Sequence, residues 1–198
     1  MSKISRHRSL GATLGALLLT FAALAIPGCG LWKEKPAKAG IAELINNLGD
    51  ADAKVRKKVA EDLGQLGPPA KEAVPALIKA LGDPEKLMRM EAALALGHIG
   101  SEAKEAVPAL IKTLGDPEVG VQEFAIASLG PEAKEAVPAL IKVLGDRWQA
   151  VRWRAAYALG DIGPEAKQAI PELERVAEED PDGLVRQNAH DALEKIRK

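Results

Sequence analysis

Beyond residue 28, few side chains can act as nucleophile, base or metal ligand: Cys29, His98, Ser101, Thr113, Ser128 and His190, beside many carboxylates. Hydrolytic or transfer chemistry needs a nucleophile within hydrogen-bond reach of a base. Neither Ser101 nor Ser128 has a histidine at its own or a matching position. Ser101 precedes Glu102-Ala103-Lys104, where a helix cap belongs. Ser128 falls on a small-residue helix face. Carboxylates are plentiful, but they occupy expected caps and solvated faces. The chemistry that remains is recognition. Apart from Phe21 and Trp32, the aromatics are Phe124, Trp148, Trp153 and Tyr157, all between residues 108 and 170. Exposed Trp and Tyr beside Arg is the composition of protein-binding hot spots.

The elements that position these residues follow from composition and periodicity. Of 198 residues, 47% are hydrophobic and 28% charged, too apolar for a disordered tail and too charged for a multi-span membrane protein. Aromatics are 3%, so the core is built from Ala, Leu, Val and Ile. A single cysteine closes no intramolecular disulfide. Net charge is −1, and the three cations Lys3, Arg6 and Arg8 leave the rest of the chain at −4. Such a body offers no basic face, which excludes nucleic acid as the expected partner.

From residue 41 the sequence repeats itself. Pro75-Ala76-Leu77-Ile78-Lys79 recurs from Pro108 and Pro138, with a weaker copy at Pro171 and an earlier one at Ala42-Glu43-Leu44-Ile45; the prolines are 33, 30 and 33 residues apart. That period makes helical hairpins stacked in series, here 41–74, 75–107, 108–137, 138–170 and 171–198. Leu-Gly-Asp at residues 48, 81, 114 and 144 closes each first (A) helix, and a second (B) helix follows at 3.6-residue spacing. Gly82 and Gly115 are expected to make left-handed C-terminal turns. Asp83 and Asp116 are expected to cap the next helix, with Pro84 and Pro117 in its first position and Glu85 and Glu118 at its positive end. The B helices should stop at Gly100 and Gly163-Pro164. Ten helices follow, in an all-α architecture.

Leu-Gly-Asp, then Val-Arg, then Ala-Ala-x-Ala-Leu-Gly-x-Ile-Gly resembles the short HEAT-like repeats of the bilin-lyase family. Asp146, Val151-Arg152 and Ala155–Gly163 carry it most fully. The resemblance covers residues 41–198 and implies a right-handed α-solenoid of about five hairpins. It also implies that Asp50/Arg56, Asp83/Arg89, Asp146/Arg152 and Asp180/Arg186 form an ion-pair ladder between neighbouring repeats. Repeat three departs, with Gln122 in place of Arg and Leu129-Gly130-Pro131 lacking the counterpart of Gly97-His98-Ile99. A weakened joint or altered curvature is expected there. In repeat five His190 replaces the alanines at 60, 93 and 156, as a polar terminal cap requires. His98 and His190 lie three layers apart, about 25–30 Å, too far to share a metal. Some HEAT-like hydroxylases carry iron-binding His-Glu pairs; here His98 precedes Ile99 and His190 precedes Asp191.

The N-terminus reads as an address. A basic stretch (1–9) precedes the apolar run Leu10–Ile26, about 26 Å of helix, slightly short for a bilayer core. Ile26-Pro27-Gly28-Cys29 resembles the lipobox of bacterial lipoproteins, departing from it at Pro27. That implies a signal peptide over 1–28, acylation of Cys29 and a lipidated tether over 29–40, so an exported, membrane-anchored protein of a bacterial cell envelope. Cleavage after Ala23-Leu24-Ala25 and an uncleaved anchor are the alternatives. Residues 30–39 reach at most about 35 Å. Trp32 either rests at headgroup level or packs on the first repeat.

Positions seven, eight, eleven and fifteen after each Leu-Gly-Asp aspartate share one stripe of the B helix, which in HEAT-like arrays lines the concave surface. Met90 and Leu94 of repeat two, Phe124 of repeat three, and Trp153, Arg154 and Tyr157 of repeat four fall on it, with Trp148 just ahead. These seven are the candidate partner-binding residues; the competing reading has them filling space around the shortened joint. The expectation is a non-enzymatic scaffold binding another protein, with no cofactor, metal or nucleic acid. The alternative is a chromophore- or cofactor-handling accessory, implied by the bilin-lyase resemblance.

Overall fold

Four of the five A helices start where proline places them. A computed structural model describes residues 38–198 of the chain, and the expected signal segment, Cys29, Trp32 and the tether up to residue 37 lie outside the described residues. The helices are α1 (Lys38–Asn47), α2 (Ala53–Leu66), α3 (Val74–Ala80), α4 (Lys86–Ile99), α5 (Val107–Thr113), α6 (Val119–Ala127), α7 (Val137–Val143), α8 (Gln149–Ile162), α9 (Ile170–Glu179) and α10 (Gly183–Ile196). Residues 38–40 thus open the first helix. Pro75, Pro108, Pro138 and Pro171 sit in the first turn of α3, α5, α7 and α9, where a missing N–H costs little. Before them run short 3-10 turns such as Pro68–Ala73 and Gly100–Ala106.

Two capping expectations need correction. Gly82 and Gly115 do not turn left-handed: Leu81 and Leu114 close α3 and α5 in the right-handed region. Positive φ occurs instead at the ends of B helices, at Gly67 (65°), Gly100 (68°) and Gly163 (68°), where glycine avoids the Cβ clash. Nor do Pro84 and Pro117 occupy a first helical position, since α4 and α6 begin two residues later. Asp83 Oδ1 instead accepts the Glu85 N–H at 2.9 Å and Asp116 Oδ1 that of Glu118 at 3.0 Å, forming local turns ahead of the helix. Side-chain N-caps do occur at Asp52 and Asp182.

The hairpins stack into one continuous aliphatic core, with Leu63, Leu77, Leu96, Leu110, Leu140, Leu159 and Leu173 wholly buried. Each such leucine contributes about 1.5–3 kcal/mol by leaving water. Small residues let the B helices approach closely. A methyl added at Gly64 would stand 3.0 Å from the Ala95 Cα, one at Gly97 2.7 Å from the Ser128 Oγ, and one at Gly160 2.9 Å from the Ala192 Cα. Ser128 also donates to the Ala93 carbonyl at 2.7 Å, tying α6 to α4. His190 is exposed, whereas Ala60, Ala93 and Ala156 are buried by the next hairpin.

The ladder is present but joined differently from the expected pairs. Arg56 forks onto Asp83 of the next repeat at 2.8 and 2.9 Å, Arg89 onto Asp116 at 2.7 and 3.0 Å, and Arg152 onto Asp180 at 2.7 and 2.9 Å. Of the aspartate six residues before it, only the backbone carbonyl accepts from each arginine: that of Asp50 from Arg56 at 2.8 Å, of Asp83 from Arg89 at 2.9 Å, of Asp146 from Arg152 at 3.0 Å and of Asp180 from Arg186 at 2.7 Å. An arginine side chain is long enough to skip its own turn and reach the next hairpin, and its fork matches a carboxylate. Asp116, left out of the expected set, is therefore a rung. Among the described residues no arginine pairs with the carboxylates of Asp50 or Asp146, which accept only the N–H groups of Asp52 (2.7 Å) and Trp148 (2.9 Å). Asp83 and Asp180 lie inside the fold, which pushes their carboxyls up. The guanidinium and backbone N–H bonds outweigh that and hold both below the usual carboxylate range.

Joint three–four lacks both devices. Gln122 donates Nε2 to the Asp116 carbonyl at 2.8 Å, repeating the inner contact of the arginines but not the outer one. Helix α6 has nine residues where α2, α4, α8 and α10 have fourteen: three of the five are absent from the sequence, and Ser128 and Leu129 lie beyond the helix end. A methyl at Gly130, which lies beyond the end of the shortened α6, would meet nothing within 4 Å.

Candidate protein-binding surface

The truncated end of α6 uncovers part of α8. Ile126, Ala127 and Leu129 form one wall of a cleft of about 260 Å3, and Trp153, Arg154, Tyr157, Ala158 and Asp161 form the other. Tyr157 is 51% exposed, while Trp153 is half-buried and rests against the core. The Arg154 guanidinium lies over the Trp153 ring at 4.6 Å and donates through Nε to Glu123 at 3.0 Å. Lys195 lies over the Tyr157 ring at 5.0 Å and bonds Asp161 at 2.9 Å. These links hold the aromatic rings in place before any partner arrives, so little ordering entropy remains to be lost on binding.

The other candidates spread out from this centre. Met90 and Leu94 are half-buried on α4; the Met90 side chain runs over Gly120 of α6, where a methyl would meet its Cε at 3.1 Å. Phe124 is half-buried and packs on the core. Trp148 is 44% exposed at the start of α8, stacked with Arg147 at 5.0 Å, and it does not line the cleft. The structure brings Trp153, Arg154 and Tyr157 together; Trp148 stands apart at the loop edge. Sequence reasoning missed the lining residues Ile126 and Leu129, which stay buried in the core and show only an edge to the cleft at the shortened end of α6. On the same stripe, Lys57 comes within 3.9 Å of Glu91, whose carboxyl burial raises above the ordinary range.

Among the described residues there is no cluster of three or more His, Cys, Asp or Glu able to hold a metal ion. His98 belongs to α4 and His190 to α10, and both are exposed.

The repeat unit matches HEAT repeats over residues 41–130 and again over 107–194, most of the chain. The chain belongs to the HEAT-repeat family. Among solved structures it is similar to the complex of CpcE and CpcF of phycocyanin lyase from Nostoc sp. PCC7120, at 32% identity with a TM-score of 0.69, covering 86% of this chain and 70% of that one. An engineered protein matches at 28% identity and a TM-score of 0.66, covering 80% of each chain. A designed armadillo repeat protein in complex with the peptide (KR)4 shares the fold at 22% identity and a TM-score of 0.67, covering 80% of this chain and 82% of that one. No curated protein matches this chain in sequence. As a HEAT-repeat protein, the chain is a stack of hairpins whose B helices leave one row of side chains outside the packing between repeats.

Proposed function

We propose that this HEAT-repeat chain is a non-enzymatic scaffold that binds another protein through the B-helix stripe centred on Trp153, Arg154 and Tyr157. The observation that carries the proposal is the open cleft beside Tyr157, where a half-exposed aromatic is braced by Lys195 and left uncovered by the short α6. A preformed apolar pocket with a charged rim suits a side-chain anchor from a partner. Proteins of similar structure point the same way: CpcE forms a complex with CpcF, and a designed armadillo repeat protein of the same fold holds a peptide. The scarcity of nucleophile–base pairs supports a role without catalysis.

The same proposal places the protein outside the cytoplasm, tethered to a bacterial membrane through acylated Cys29. The basic stretch, the apolar run and the unique cysteine support it. Cys29→Ala should move the protein from the membrane to the soluble fraction; unchanged membrane association would contradict the tether.

Tyr157→Ala in the full chain should leave melting nearly unchanged, within about 0.5 kcal/mol for a surface position, and abolish capture of the partner from a membrane extract. Capture equal to wild type would remove the case for this surface. The phycocyanin lyase likeness favours a second reading, a chromophore-handling accessory. It requires a visible absorbance band in the purified protein, and a spectrum with only the ultraviolet bands of Trp and Tyr would dismiss it.

A further inference from the structure

At three joints of the array an arginine fork closes onto the aspartate of the following hairpin. At the fourth, between α6 and α8, the aspartate is present and the fork is missing. Asp146 occupies the same turn position as Asp83, Asp116 and Asp180, and its Oδ1 is set by the Trp148 N–H at 2.9 Å as theirs are by their own local N–H groups. Among the described residues nothing charged pairs with it. The nearest cation in sequence, Arg147, is turned onto the Trp148 ring.

Two further observations mark this as a receptor rather than a defect. Gln122, in the arginine position, is 9% exposed, and its Oε1 is, among the described residues, the one buried side-chain polar atom with no hydrogen-bond partner. Its Nε2 is committed to the Asp116 carbonyl, so the oxygen is the free end. A buried acceptor of this kind destabilises the fold unless something donates to it. Beside it opens a cleft of about 690 Å3 reaching from Gln122 and Asp116 to Asp146. That is ample room for a planar guanidinium on a side-chain stem.

We propose that this cleft binds the guanidinium of an arginine side chain presented by a protein partner, which completes the ladder from outside. The fork would meet the Asp146 carboxylate as Arg89 meets Asp116. A small turn of the soft terminal torsion of Gln122 would offer Oε1 to a remaining N–H. Five donors in one plane satisfy both acceptors, which an ammonium point charge does less well. Lys112, Lys142 and Arg147 line the cleft; Arg147 is held on the Trp148 ring, and the two lysines do not bar a cation. Lys79 and Lys112 hold the equivalent places at the previous joint, where Arg89 is bound. The site lies on the loop edge, apart from the Tyr157 cleft, and stands or falls independently of it.

The test is a titration of the full chain with N-acetyl-arginine amide, followed by NMR at constant ionic strength. The probes are the Trp148 backbone amide, which touches the Asp146 carboxylate, and the Gln122 side-chain amide. Both should shift saturably, with an apparent affinity at least threefold better than for N-acetyl-lysine amide. Asp146→Asn should abolish the shifts. Gln122→Arg should fill the cleft in cis, abolishing the response and raising the melting temperature by a few degrees. No saturable shift in the wild type, an unaltered response in Gln122→Arg, or equal shifts on adding inorganic phosphate would each overturn the proposal, the last by showing that Lys112, Lys142 and Arg147 make an anion site.

Discussion

The joint between hairpins four and five and the joint between hairpins three and four are built from nearly the same residues, yet only one is closed. At four–five, Arg152 grips Asp180 through two bonds, Gly160 lets Ala192 approach its backbone, and Lys195 ties back to Asp161. At three–four, Gln122 stops short of Asp146, α6 ends a turn early, and clefts open on both sides. A solenoid is stabilised by nearest-neighbour interfaces, so one poor interface is felt locally and the fold survives it. The lesson is that the aromatic cleft and the cleft at the unpaired Asp146 both lie at the least complete joint.

The largest contrast should come from the rungs. Arg152→Ala strips a nearly buried Asp180 of its partner and should cost about 2–4 kcal/mol, whereas Gln122→Ala removes an orphan acceptor along with one hydrogen bond and should stay within about 1 kcal/mol. Denaturant titration of both variants measures this; equal losses would mean that the ladder is ornamental. A smaller contrast comes from the glycines. Gly160→Ala drives a methyl into the Ala192 backbone and should destabilise by about 1–3 kcal/mol, while Gly130→Ala meets open space and should be neutral to about 0.5 kcal/mol. A tolerated Gly160→Ala would show that α8 and α10 can move apart freely.

Much of this was legible in the sequence because the repeat prints its own register. Pro75, Pro108, Pro138 and Pro171 mark helix starts, and Gly100 and Gly163 mark helix ends. Gln122 and the three absent residues flagged the weak joint. Cross-repeat partners were less legible. Arg152 and Asp146 are six residues apart in the chain, but the arginine ends 28 residues away on Asp180, since only the stacking distance decides which carboxylate the fork reaches. The turn after Leu81 defeats that reading because a Leu-Gly pair looks like a left-handed cap, whereas the Gly82 and Asp83 N–H groups donate to the Lys79 and Ala80 carbonyls at 3.0 and 3.2 Å and keep the chain right-handed. Of the candidate surface, Trp153, Arg154 and Tyr157 could be grouped from helical spacing alone. Trp148 already reads in the sequence as lying just ahead of that stripe, and α8 begins after it.

Native-state hydrogen exchange across joint three–four tests the central claim most directly. If this joint is the incomplete one, the amides of α6 and α7 should open in a sub-global step at least about 1–2 kcal/mol below that of α8 and α10, the gap narrowing in Gln122→Arg. A single opening free energy shared by α4, α6, α8 and α10 in the wild-type chain would contradict it.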